Sequence, residues 1–206
     1  MVRIKICGIT NLEDALLAAD LGANALGFIF SAKSPRCVAP EAAREIIRQL
    51  PPFVVSVGVF VNEEAARVRD LAARVGLDWV QLHGQEPPDY CRSLVRRVLK
   101  GFRIKDVHSL KELQAYQGAV QAFLLDTHKK GQTGGTGEVF DWDLARQAQA
   151  YGPIVLAGGL TAANVARAIK IAQPQAVDVA SGVEAAPGKK NPEKLRAFFK
   201  AVASSQ

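Results

Sequence analysis

Two residues that end apolar runs carry groups suited to moving protons. Cys7 closes Arg3-Ile4-Lys5-Ile6-Cys7, and Asp126 closes Ala122-Phe123-Leu124-Leu125-Asp126. A thiolate can act as base or nucleophile, and a carboxyl can act as acid. An unperturbed thiol ionises near pH ~8.5, so only a few per cent is thiolate at neutral pH. Lys5, two residues before Cys7, is expected to favour the thiolate by its charge. Cys7 reads equally as a small buried hydrophobe. Asp126 reads also as a cap, although a carboxylate after such a run is costly to bury unless paired or functional.

Further residues suit an anionic substrate. Arg36, in Ser34-Pro35-Arg36, carries a planar fork that matches a carboxylate, or is simply a solvated arginine. Gly158 and Gly159 follow one apolar run, and Ser181 and Gly182 follow the next. Turns of this kind let backbone N–H groups approach a phosphate, although tight-turn geometry alone also asks for glycine. Gln81, His83 and Asp178 are candidates for orienting polar groups of a substrate; His83 also reads as a structural histidine. The glycine-rich stretch Lys129–Gly137 is either a lid over an anion or a solvated loop. His108 and His128 form no ligand cluster, Cys37 and Cys91 look structural, and no metal is expected.

The elements needed to gather these residues repeat along the chain. Short runs rich in Val, Ile and Phe read as buried parallel strands near 3–7, 24–30, 53–60, 78–82, 98–104, 120–126, 153–157 and 175–180. Helical spacing is clearest over 11–21, 40–50, 63–75, 161–172 and 192–203. Asn11, Asn62 and Thr161 are N-cap types, and Pro40 and Pro192 suit a first turn. Eight β-α units in 206 residues are roughly 26 residues each, which favours a closed (β/α)₈ barrel, an α/β fold, as a single domain over 1–206. Cys7-Gly8-Ile9-Thr10 is not the glycine fingerprint of a dinucleotide fold.

Strand parity sorts the side chains. Lys5 and Cys7 share one face; Ile4 and Ile6 take the other. Gln81 and His83 oppose Val80 and Leu82, Asp126 goes with Leu124, and Asp178 opposes Val177 and Val179. The apolar sets should face the helices, and the polar sets the barrel interior at the end where barrels place their sites.

Composition narrows the setting. No apolar run approaches the ~20 residues of a membrane span. Three cysteines without ligand spacing point to a reducing compartment, hence the cytoplasm. The net charge of +6 is scattered, without a nucleic-acid-binding signature, so an anionic small molecule is the expected partner rather than nucleic acid or a membrane. Monomer and homodimer both remain open.

Taken together, the segments resemble one family, the phosphoribosylanthranilate isomerases of tryptophan biosynthesis. The resemblance rests on Lys5–Thr10, Ser34–Arg36, Val57–Asn62, Val80–Gly84, Leu125-Asp126, Gly134–Gly137, Phe140–Trp142, Leu156–Leu160 and Asp178–Glu184, in order along nearly the whole chain. Ala180 and Asn191 depart from it, where serine and aspartate are more usual. The resemblance implies an Amadori rearrangement of N-(5-phosphoribosyl)anthranilate to 1-(2-carboxyphenylamino)-1-deoxyribulose 5-phosphate, without a cofactor. It implies Asp126 as general acid and Cys7 as general base; an acid that must be protonated when substrate binds fits a partly desolvated Asp126 away from cations, where its pKa is expected to rise. It implies Arg36 at the anthranilate carboxylate and the turns at Gly158 and Ser181 at the phosphate. The alternatives are another phosphosugar barrel enzyme, such as the histidine-pathway isomerase, and a non-catalytic phosphate-binding barrel. The first would be expected to carry a carboxylate where Cys7 stands. The second would need neither Cys7 nor Asp126.

Overall fold

The computed structural model describes residues 1–126 and 142–205. Eight parallel strands close into a barrel in sequence order: β1 (Arg3–Cys7), β2 (Ala25–Ile29), β3 (Val55–Phe60), β4 (Trp79–Leu82), β5 (Arg97–Arg103), β6 (Ala122–Asp126), β7 (Ile154–Ala157) and β8 (Ala176–Val179). The helices that follow them are α1 (Leu12–Asp20), α2 (Pro40–Ile47), α3 (Ala65–Val75), α4 (Pro88–Ser93), α5 (Val107–Gln114), α6 (Trp142–Ala148), α7 (Val165–Ala172) and α8 (Pro192–Ala203). After β8 the chain adds a 3₁₀ turn (Ser181–Val183) and a small antiparallel pair, β9 (Glu184–Ala186) and β10 (Lys189–Lys190), which the residue spacing does not suggest.

Parity works as expected. Ile4, Ile6, Val80, Leu82, Phe123, Leu125, Val177 and Val179 join the layer between strands and helices, with Ala15, Val68 and Ala168. Leu99, Ala122, Leu124 and Ala157 form a separate cluster inside the barrel. Two layers of side chains therefore sandwich the sheet, and the inner one leaves its C-terminal end to polar residues.

The caps hold in part. Asn11 caps α1, its Oδ1 accepting from the Asp14 N–H at 2.8 Å. Asn191 caps α8 by accepting from the Lys194 N–H, which accounts for its standing where the family more often has aspartate, since both side chains offer the needed oxygen. Pro40 and Pro192 sit in first turns. Asn62, however, does not cap α3. It lies in the left-handed region (φ 51°), which asparagine tolerates, and its Oδ1 accepts from Gln85 in the next loop. Thr161 does not cap α7 either. Its N–H donates to Asn164 Oδ1, so a turn intervenes and the helix starts at Val165.

Candidate active site

Cys7 ends β1 inside the barrel mouth, 6% exposed. Gly27 on the neighbouring strand makes room for it: a Cβ there would stand 2.8 Å from Cys7 Sγ and 3.2 Å from Lys5 Nζ. Lys5, one layer deeper, forms a buried ion pair with Asp178 of β8 at 2.8 Å, the two residues lying side by side in the strand register. Burial alone would push the Lys5 ammonium down, but the charges of Asp178 and Cys7 hold it above its usual range.

The thiol behaves differently from the sequence expectation. Burial raises its pKa, Lys5 and Lys190 lower it, and Asp178 raises it; the net direction is upward. Lys5 acts with the expected sign. Its charge is already largely answered by Asp178, and desolvation wins.

Asp126 ends β6, three strands from β1 by way of β7 and β8. Its Oδ2 lies 3.6 Å from His83 Nε2, with each side chain about a quarter exposed. His83 follows β4, and its Nδ1 lies 3.2 Å from Gln81 Nε2. Gly101 of β5 seats the ring, since a Cβ there would be only 2.4 Å from His83 Nδ1. Gln81 Oε1 is the one buried side-chain oxygen or nitrogen without a hydrogen-bond partner among the described residues.

Arg36 reaches the mouth over Gly8. That glycine has φ 78°, and a Cβ on it would strike the Arg36 Cδ at 2.7 Å. Glu184 grips the arginine on one edge, accepting from Nε at 2.8 Å and from Nη2 at 2.6 Å. The end of the fork that carries Nη1 makes no hydrogen bond to the described residues. Glu184 also accepts from Lys190 Nζ at 3.0 Å and from the Gly188 N–H at 3.2 Å. Burial pushes Glu184 up, but hydrogen bonds from Arg36 and the charge of Lys190 bring it below the usual carboxylate range. Lys190 donates in addition to the Cys7 carbonyl at 2.6 Å, so it ties the end of β1 to the loop after β8. Burial sets Lys190 below the usual lysine range.

Gly158 (φ 88°) and Gly159 (φ 63°) turn the chain after β7. Gly182 packs so closely that a Cβ would overlap the Leu160 carbonyl oxygen, which locks the turns after β7 and β8 together. The backbone N–H groups of Gly159, Ser181 and Gly182 meet no protein acceptor among the described residues.

Every named candidate residue therefore lies at the C-terminal end of a strand or in the turn after it, except Lys5, Gln81 and Asp178, which sit one layer down. The expectation of a lid at Lys129–Gly137 falls outside the described residues. The described residues contain no group of three or more His, Cys, Asp or Glu arranged to hold a metal. No described helix is long and apolar enough to cross a membrane. The sequence reading misses Lys190 and the role of Glu184. Their only local sign is that both charges sit in a short stretch between β8 and α8.

Comparison with known proteins bears on this arrangement. The family model described as N-(5'phosphoribosyl)anthranilate (PRA) isomerase matches residues 4–201. The N-(5'-phosphoribosyl)anthranilate isomerase of Pelobacter propionicus is 56% identical over 200 residues, which cover 97% of this chain and 95% of that protein. The crystal structure of phosphoribosyl anthranilate isomerase from Thermotoga maritima is 46% identical, with TM-score 0.92 over 99% of this chain and 100% of that one. A phosphoribosyl anthranilate isomerase solved with reduced 1-(o-carboxyphenylamino)-1-deoxyribulose 5-phosphate is 44% identical, with TM-score 0.90 and the same shares covered. The chain belongs to the N-(5'-phosphoribosyl)anthranilate isomerase family.

Proposed function

We propose that this chain, as one catalytic barrel domain, converts N-(5-phosphoribosyl)anthranilate to 1-(2-carboxyphenylamino)-1-deoxyribulose 5-phosphate, with Asp126 as general acid and Cys7 as general base. The observation that carries the reading is the pair itself: an acid and a base at the C-terminal ends of β6 and β1, facing one mouth. Asp126 protonates the furanose ring oxygen as the C1–O bond breaks, and a Schiff base forms between C1 and the anthranilate nitrogen. Cys7, in its thiolate form, which Lys5 and Lys190 favour, then takes the proton from C2, giving an enolamine that tautomerises to the ketone. No hydride leaves the substrate and no carbon–carbon bond forms, so the step balances with protons alone. His83, 3.6 Å from Asp126, is close enough to exchange a proton with it after a small approach.

Binding follows the same geometry. Arg36 offers the substrate carboxylate the edge that Glu184 leaves open. Gly159, Ser181 and Gly182 offer the phosphate their backbone N–H groups at adjoining turns, which Gly158 helps to shape, a recurrent arrangement in barrels. Gln81 Oε1, buried and without a hydrogen-bond partner among the described residues, accepts from a sugar hydroxyl. Asp178 acts through Lys5, shaping the field around the thiol.

The reaction suits a cytoplasmic enzyme of tryptophan biosynthesis, acting as a monomer or a homodimer. Phe53, fully exposed at φ 72° between α2 and β3, is one of the large apolar groups among the described residues whose covering would favour a second copy. Sedimentation of wild type and Phe53→Glu distinguishes the two states. The reaction itself is tested by mixing the purified chain with freshly generated phosphoribosylanthranilate in EDTA and following the loss of anthranilate fluorescence, with the product identified by mass and chromatographic retention. Folded protein that does not exceed spontaneous decay rules the assignment out.

A further inference from the structure

On the outer side of the barrel, beneath the loop after β4, a lysine and a glutamate are buried together. Lys100 of β5 and Glu86 lie 3.2 Å apart, and each side chain is 2% exposed. Burying two charges carries a desolvation penalty of several kcal/mol per ion, roughly, which a pair recovers only when further hydrogen bonds complete it. A leucine and a valine in their place would have joined the surrounding apolar layer at no such cost. The residues that complete this pair all bear on His83.

Lys100 Nζ donates to the carbonyls of Leu82 (3.3 Å), Gly84 (2.8 Å) and Gly101 (3.1 Å). Leu82 and Gly84 are the two neighbours of His83 in the chain. Gly101 is the residue against which the His83 ring rests. Glu86 accepts from the Gly84 N–H at 3.0 Å and from the Asn62 N–H at 2.7 Å. Asn62 closes the frame by accepting from the Gln85 N–H. Tyr116 donates to the Glu86 carbonyl and, with Phe102, faces the ammonium. One ammonium thus fixes the backbone on both sides of His83 and the floor beneath its ring, and one carboxylate fixes the turn that follows.

We infer that Lys100 and Glu86 are positioning residues that set the His83 imidazole against Asp126. The inference rests on the reading above that His83 and Asp126 serve the reaction. Neither Lys100 nor Glu86 reaches the mouth, so neither touches substrate. Both act through the backbone of the loop after β4. A misplacement of about 1 Å can cost ~10²-fold in rate, so a loosened loop is expected to lower kcat far more than it raises KM, since of the proposed binding groups only Gln81 lies on β4 beside His83.

The test uses Lys100→Met, Glu86→Gln and the double variant, which keeps the volumes and removes both charges if a single unpaired charge prevents folding. Gly101→Ala displaces the ring directly and leaves both charges of the pair in place. In each folded variant the His83 ring is observed directly by its imidazole nitrogen resonances, beside kcat, KM and thermal unfolding. The expected result is a shifted His83 resonance and a kcat lowered by about one to two powers of ten, with no additional loss when His83→Asn is combined with Lys100→Met. His83 resonances and kcat unchanged in folded variants, with only a lowered unfolding temperature, would overturn the inference. Shifted resonances together with a fully active His83→Asn variant would uphold the positioning and refute instead a part for His83 in the reaction.

Discussion

Asp178→Asn should separate the two things that Asp178 does. In the native chain its carboxylate stands 2.8 Å from Lys5 Nζ, and the side chains are 9% and 5% exposed. Removing one partner of a buried pair costs about 3–5 kcal/mol, because the other charge is left without an answer. For a chain of this size 1 kcal/mol corresponds to about 2–4 °C, so unfolding is expected ~6–20 °C lower. The sign of the pH dependence also changes. With Asp178 present, the Lys5 pKa lies above 10.5, and its contribution is complete below 10.5 and lost as pH rises through the raised value. With Asp178 gone, burial is opposed only by Cys7, and Lys5 falls below 10.5. The unfolded state then binds more protons than the folded one. Stability of the variant should therefore rise with pH in the window beneath 10.5, where that of the wild-type pair is flat.

The thiol pKa moves down as well. Asp178 raises Cys7, and Lys5 lowers it. The Asp178→Asn substitution would remove the first effect while leaving any remaining Lys5 charge unbalanced, so Cys7 should ionise at lower pH in the less stable variant. The assay is circular dichroism melting between pH 6 and 10, with alkylation of Cys7 by iodoacetamide against pH on a Cys37→Ser background. A variant that melts with the wild type, or a Cys7 that ionises at higher pH, would refute the reasoning.

Other perturbations test neighbouring contacts. Glu184→Gln keeps the shape but weakens hydrogen bonds to charged groups worth roughly 1.5–3 kcal/mol each; KM should rise several-fold through a loosened Arg36 while Cys7 alkylation proceeds. Glu184 lies below the ordinary carboxylate value of 4.5, so its stabilisation is present above that pH and lost as pH falls through the depressed value. Acid unfolding of Glu184→Gln should accordingly be less steep below pH 4.5 than that of wild type. Gly27→Ala would set a methyl 2.8 Å from Cys7 Sγ, and turnover should drop by about 10²-fold with little change in the circular dichroism spectrum. An alanine variant of wild-type activity would mean that Cys7 does not need its present position.

How far the sequence reaches follows from what kind of contact each feature needs. The eight strands are legible because each is a short apolar run whose sheet neighbours, apart from the β1–β8 closure, are also its neighbours in sequence order. Parity then places Lys5, Cys7, Gln81, Asp126 and Asp178 inside. The caps expected at Asn62 and Thr161 fail because their partners are not local helix N–H groups; Asn62 is claimed by Gln85, across to the next loop. The grip of Glu184 on Arg36 spans 148 residues and that of Lys190 on the Cys7 carbonyl spans 183, so no local pattern announces either. The thiol illustrates the same limit energetically. Lys5 is visible two residues away, but the burial that outweighs it and the Asp178 that neutralises it exist only once the barrel closes. Ala180, by contrast, departs from the family at a place where only its carbonyl is used, 3.4 Å from Lys190 Nζ, so serine and alanine serve alike.

The most direct test of the account is single-turnover conversion of phosphoribosylanthranilate by wild type, Cys7→Ser and Asp126→Asn, read beside the affinity of each for reduced 1-(o-carboxyphenylamino)-1-deoxyribulose 5-phosphate. A positioned acid or base is typically worth ~10²–10⁴ in rate. The account predicts a loss in that range in each variant, with affinity for the reduced product held within a few-fold of wild type. Turnover at the wild-type rate in either variant would contradict it.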